Sequence, residues 1–124
     1  MEDGQVYASF LWPLGGRHAP DGHVRVTVLG SAEHESTSLL GTVVLSPANH
    51  LRGLTPRELE VLGLLIDGRS NAQIARALVV AQRTVAAHLE HILAKLGAPS
   101  RTLAAVRATR EGLYVPASPL PRRA

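Results

Sequence analysis

The chain has 124 residues, 45% of them apolar but only 3% aromatic, no cysteine and a formal charge of +3. That is room for one ordinary domain, or a small domain with an appendage, built on Leu, Val, Ile and Ala. Disulfides and thiolate metal sites are excluded, and no apolar run reaches the length of a membrane span, so the chain is expected to work in the cytoplasm.

The charge is unevenly spread. Residues 1–50 carry two basic against five acidic side chains, and residues 51–124 carry eleven against five. A basic half joined to an acidic half suits a polyanion-binding module with an appendage. It also suits two unevenly solvated surfaces, so charge alone does not decide.

Three extended segments come first. Residues 6–12 are rich in β-branched and aromatic side chains. Residues 23–29 alternate, with Val24, Val26 and Val28 on one face and His23, Arg25 and Thr27 on the other. Residues 39–45 are a nearly continuous apolar run, as expected of a strand covered on both faces. Pro and Gly in 13–22 suit a hairpin connection and 31–38 a polar loop, which predicts a three-stranded antiparallel meander over 1–50. So small a sheet needs a covering layer. The valine face must meet the helical half, a second copy or a further segment.

After a short linker at 46–53 the apolar period changes from two to about 3.6. Thr55, Pro56 and Glu58 make a capping box on a Pro-started helix that runs to about Asp67, with Leu59, Leu62, Leu65 and Ile66 inward, and stops at Gly68. Ser70 and Gln73 repeat the capping-box spacing for a helix over 71–78. Residues 79–81 form the turn, and a longer helix over 82–96 stops at Gly97. Ser100 caps a fourth helix over 101–111, stopped by Gly112, and residues 116–124 read as a disordered tail. The fold class is α+β, a three-stranded antiparallel meander over 1–50 followed by a four-helix bundle over 51–115.

Two helices joined by a three-residue turn make a helix-turn-helix unit. At 100° per residue, Val85, Leu89, Ile92 and Leu96 form a core stripe facing Leu59, Leu62, Ile74 and Leu78. The opposite side carries Arg83, Ala87, Glu90, His91 and Ala94, flanked by Ala86 and His88. Small residues between polar ones permit close approach to base edges.

Four blocks carry a specific resemblance. They are Leu54–Leu62 with its Leu-Thr-x-Arg-Glu-x-Glu-Val-Leu pattern, Gly68–Ala75 with Ser70-Asn71 and Ile74-Ala75, Thr84–His88, and Lys95-Leu96-Gly97. Together they resemble the LuxR-type helix-turn-helix family. The resemblance implies a four-helix domain that binds double-stranded DNA as a homodimer and regulates transcription. Thr84 and His88 match positions that contact the DNA backbone, and Ser70 with Asn71 sets a helix N-terminus where a phosphate can sit. Arg83, Lys95 and Arg101 are the candidate cationic phosphate partners. Ala86, Ala87 and Glu90 stand where the family touches bases, with His91 beside them. The chain departs from the family at Ala81, where a Ser cap is usual, and at Ala86, where Lys or Arg is usual. Base reading would then fall to alanine methyls against thymine and to Glu90 accepting from a cytosine amino group. A weak monomer that needs pairing is expected.

The fourth helix is the candidate for that pairing. Ala104, Ala105 and Ala108 make one face, Leu103 and Val106 the other. One packs on the bundle and one meets its twin across a two-fold axis, in an order the residues leave open. The strands ahead of the helices resemble the end of a GAF- or PAS-like sensor domain, to which no ligand is assigned.

Catalysis, metals and cofactors find no support. His88 and His91 share a helix at i, i+3 but have no further ligand at metal spacing. Gly15-Gly16-Arg17 lacks the Lys and Ser/Thr of a phosphate loop. Other classes compete. The helical half could be a protein-interaction module docking a partner regulator or RNA polymerase through its alanine-rich face, or the chain could be part of a small-molecule sensor. A relation to promoter-reading sigma-factor domains fits the motif blocks less well.

Overall fold

Antiparallel pairing organises the first half. In the computed structural model, which describes residues 4–15, 19, 21–31, 41–48 and 51–116, strands β1 (Gly4–Pro13), β2 (His23–Ser31) and β3 (Gly41–Pro47) form one sheet in the order β1-β2-β3. The register sets Leu11 opposite Arg25, Trp12 opposite Val24 and Phe10 opposite Val26. On the other side of β2, Val26 faces Leu45 and Val28 faces Val43. Successive side chains point to opposite faces. Phe10, Trp12, Val24, Val26, Val28, Val43 and Leu45 therefore share one face, and Ser9, Leu11, Arg25 and Thr27 the other.

It is the second, more polar face that meets the helices. Leu11 is fully buried in the helical core, its amide donates to the Tyr114 carbonyl at 2.7 Å, and Arg25 donates to the Gly112 carbonyl at 2.8 Å. The valine face is turned away from the bundle, with Val24, Val26 and Val28 half-buried and Val43 and Leu45 61% and 65% exposed. The expectation of a third strand over 39–45 covered on both faces is corrected. The strand begins at Gly41, residues 39 and 40 lie outside the described residues, and Val43, Val44 and Leu45 are exposed. An apolar run there reflects an edge strand hydrogen-bonded to β2 alone among the described residues. Most of the loop expected at 31–38 and the tail from 117 onward also lie outside the described residues.

The helices are α1 (Pro56–Ile66), α2 (Asn71–Leu78), α3 (Gln82–Leu96) and α4 (Arg101–Arg110), within a residue of their expected bounds. Their starts follow from side-chain chemistry at the first turn. Thr55 accepts from the Glu58 amide at 3.1 Å and Glu58 accepts from the Thr55 amide at 3.0 Å. Ser70 and Gln73 reciprocate in the same way, and Ser100 accepts from the Leu103 amide. Leu59, Leu62, Ile74, Val85, Ile92 and Leu96 are fully buried together, while Leu78 and Ile66 are only half-buried.

Val61 and Leu64 are buried as well, on a side of α1 that its apolar stripe does not mark as inward. Residues 112–116 pass along α1 beside Gly63 and Leu64 as a strap, burying Leu113 and Val115. The passage depends on Gly63, because a Cβ there would collide with the Val115 carbonyl oxygen. Pro116, expected to open the tail, is half-buried at the end of this strap. Among the described residues no helix is long and apolar enough to cross a membrane.

Candidate nucleic-acid interface

α3 is fixed on one side and open on the other. Val85, Leu89, Ile92 and Leu96 are buried, whereas Arg83, Ala86, Ala87, Glu90, His91 and Ala94 are exposed and Thr84 and His88 half-buried. The C-terminal end is firmly held. Gly97 takes the left-handed conformation with φ 62°, Arg52 and Arg107 each donate to the Leu96 carbonyl at 3.1 Å, and Arg107 also donates to the Gly97 carbonyl. The N-terminal end has no such help, since Ala81 makes no side-chain cap. The least braced turn of the helix, carrying Gln82, Arg83 and Thr84, is thus the one that leads outward.

The expected cations divide. Lys95, expected as a phosphate partner, is engaged within the fold: its Nζ donates to Glu58 Oε1 at 2.6 Å and to the Gly53 carbonyl at 2.9 Å. Glu58 is a buried carboxylate that needs a cation more than the surface does. Burial pushes its pKa up, but the hydrogen bonds from Lys95 and the Thr55 amide, with the charges of Lys95 and His91, outweigh this and hold it below the usual value. His91 Nδ1 lies 3.7 Å from Glu58 Oε2, so this exposed ring stands between the outer face and the buried acid. Arg101 bridges to α2, donating to Asn71 Oδ1 at 2.8 Å and to the Arg69 carbonyl at 3.0 Å. Ser70, Asn71 and Arg101 are therefore brought together at the start of α2, already hydrogen-bonded to one another or to the helix end.

Arg83 stays exposed on α3. Two further exposed cations were missed. Arg76 shares a shallow depression with Ala72, Val79, Ala81 and Gln82 at the start of α3, and Arg69 stands just before the α2 cap. The signal for Arg76 was its place on the polar side of α2, opposite Ile74. Val79, which closes α2, has a left-handed backbone (φ 58°, ψ 53°) and is 88% exposed.

On α4 burial shows which face packs on the bundle. Ala104 and Ala108 are fully buried against the bundle, while Leu103 and Val106 are 40% and 38% exposed. Ala104 and Ala108 are therefore corrected from pairing candidates to packing residues: their small side chains let α4 lie close on α1 and α3. Among the described residues no three His, Asp or Glu side chains gather closely enough to hold a metal ion.

Residues 52–108 match the family described as bacterial regulatory proteins, luxR family. An HTH-type transcriptional regulator of Mycobacterium tuberculosis is 47% identical over 66 residues, which are 53% of this chain and 8% of that protein. The DNA-binding transcriptional activator DevR/DosR of the same species is 49% identical over 59 residues, 48% of this chain and 27% of that protein. Residues 52–108 are a LuxR-family helix-turn-helix domain. The transcriptional regulatory protein DegU of Brevibacillus brevis is 36% identical over 84 residues, 68% of this chain and 36% of that protein. The chain thus spans between 8% and 36% of the length of these relatives. Among solved structures, the VqmA dimer of Vibrio cholerae, described among LuxR-type receptors, shares the fold with a TM-score of 0.50 at 23% identity, covering 77% of this chain and 52% of that one.

Within this LuxR-type domain, the motif residues divide into two kinds. Leu54, Glu58, Val61, Leu62, Ile74, Ala75, Val85 and Leu96 are buried and define the fold, and Lys95 joins them through Glu58. Thr84, Ala86, Ala87, His88, Glu90 and His91 line the accessible side of α3.

Proposed function

We propose that this chain binds double-stranded DNA in a sequence-dependent manner and regulates transcription in the cytoplasm, with α3 in the major groove and a second copy joined through α4. The observation that carries this is the outer side of α3, where Ala86, Ala87, Glu90, His91 and Ala94 are all exposed on a helix whose other side is locked in the core. A helix about 10–12 Å across suits a groove about 12 Å wide. Alanine methyls meet thymine methyls, Glu90 accepts from a cytosine amino group, and Arg83, Arg76 and Arg69 meet phosphates. Ser70 and Asn71 present the start of α2 to the backbone, with Thr84 and His88 beside it. Leu103 and Val106 supply the apolar centre of the pairing surface. The chain acts by binding, with RNA polymerase as a further partner class. Support comes from the luxR-family match and from the named activity of DevR/DosR.

One feature favours a second reading: Arg83 is the only Lys or Arg exposed on α3 itself, as suits a helix that docks a protein. Duplex selection from a random pool, followed by a salt titration, separates the two. Three phosphate contacts per domain give a log–log salt slope of about −3 per domain, and Glu90→Ala changes the selected sequence. Binding insensitive to salt favours the protein-docking reading, and an unchanged selection with Glu90→Ala removes its base contact. The double variant Leu103→Asp, Val106→Asp is expected to be monomeric and to bind a half-site weakly. Nanomolar half-site binding by that variant overturns the requirement for a dimer.

A further inference from the structure

A cleft of about 370 Å³ opens where the sheet, α1, α2 and the strap meet. This is within the range of small-molecule sites, which favour junctions between structural units. Its apolar lining comes from Leu64 of α1, Leu78 of α2 and Val115 of the strap. Its polar lining includes His23, Arg57, Glu60 and Arg69. Arg57 and Glu60 neutralise each other through a 2.9 Å ion pair. His23 has its pKa lowered by burial, a change that the nearby Glu60 charge only partly offsets, which favours the uncharged ring. Arg69 is then the one cation on the lining without a carboxylate partner among the described residues.

We propose that this cleft is a binding site for a small amphipathic organic anion, its apolar body on Leu64, Leu78 and Val115 and its acid group on the Arg69 guanidinium. None of its lining residues lies on α3, and Arg69, proposed above as a phosphate contact, is the one side chain that the cleft shares with the DNA-binding face. An apolar body without charge would leave Arg69 unmatched, and a small inorganic anion would leave the apolar lining wet. The two features together specify the class.

The test uses the full chain and two dyes, 1-anilinonaphthalene-8-sulfonate and its uncharged counterpart N-phenyl-1-naphthylamine, each titrated and followed by emission. The wild type is expected to bind the anionic dye at one saturable site. Arg69→Glu weakens that dye by about tenfold or more while changing the neutral one by no more than about twofold, as loss of a charge-assisted contact requires. Ala77→Trp, which fills the cleft from an exposed position on α2, abolishes binding of both dyes while the helical circular dichroism is retained. Arg110→Ala, on α4 and away from the cleft, leaves both unchanged. Equal weakening of both dyes by Arg69→Glu overturns the choice of an anion. Dye binding that survives Ala77→Trp and disappears with Leu45→Thr assigns the dye to the outer sheet face and overturns the site.

Discussion

A single side chain can match a family position and still face the wrong way for the task expected of it. Lys95 stands in the Lys-Leu-Gly block, yet its ammonium is turned onto Glu58, because a buried carboxylate without a cation costs several kcal/mol. Tyr114 is a second case of local surroundings overriding residue type. Burial, then the hydrogen bond its phenol donates to Asp67 at 2.8 Å and the Asp67 charge, push its pKa to about 12 from 10.0. The folded chain thus holds this proton where the unfolded chain has released it. The associated stability is fully present below pH 10 and is lost as the pH rises toward 12. Urea midpoints measured at pH 9 and at pH 11 should therefore fall more in the wild type than in Tyr114→Phe. Equal falls would show that the phenol does not titrate differently in the two states. Neither contact was legible in the sequence, since residue spacing reports which side of a helix a Cα occupies and says nothing of where a long head group ends.

Elements were far more legible than these contacts. Thr55, Ser70 and Ser100 mark helix starts by a mechanism local in sequence, and Gly68 and Gly97 mark stops that need a positive φ. The bounds consequently came out nearly right. The missing hydroxyl at Ala81 was equally visible, and α3 does begin without a side-chain cap. Ala81→Ser is expected to raise stability by about 1 kcal/mol, measured as a shift in urea midpoint with unchanged slope. No gain would show that the first amides of α3 already have other partners. What the sequence hid was Gly63. A glycine inside a helix costs about 1 kcal/mol relative to alanine, and its reason, the close passage of the Val115 carbonyl, depends on a segment more than fifty residues away. The burial of Leu64, which lines one cleft with Val115, was hidden for the same cause.

For the whole molecule, the sheet order followed from alternation and turn composition, but the way the sheet sits on the helices did not. Hydrophobicity marked the face of Val24, Val26 and Val28 as the one in need of a cover, and left open whether the helices, a second copy or a further segment supplies it. The structure seats the other face through Leu11, with Arg25 reaching over to the Gly112 carbonyl and to Ser9. One fully buried leucine fixes the joint where a row of half-buried valines does not. Leu11→Ala should therefore destabilise the helical half by about 2–4 kcal/mol through the cavity it leaves, read from the helical circular dichroism signal in urea. A helical transition that does not move would mean the two halves fold independently. The recognition side of α3 was the most legible part of the candidate site, because its exposed positions follow directly from a buried stripe at 3.6-residue spacing.

Tyr114 serves both halves at once. Its carbonyl receives the β1 amide of Leu11 and its phenol grips Asp67, the residue that closes α1. A pull on the strands therefore reaches the junction between α1 and α2 through this residue, beside the link that Arg25 makes to the Gly112 carbonyl.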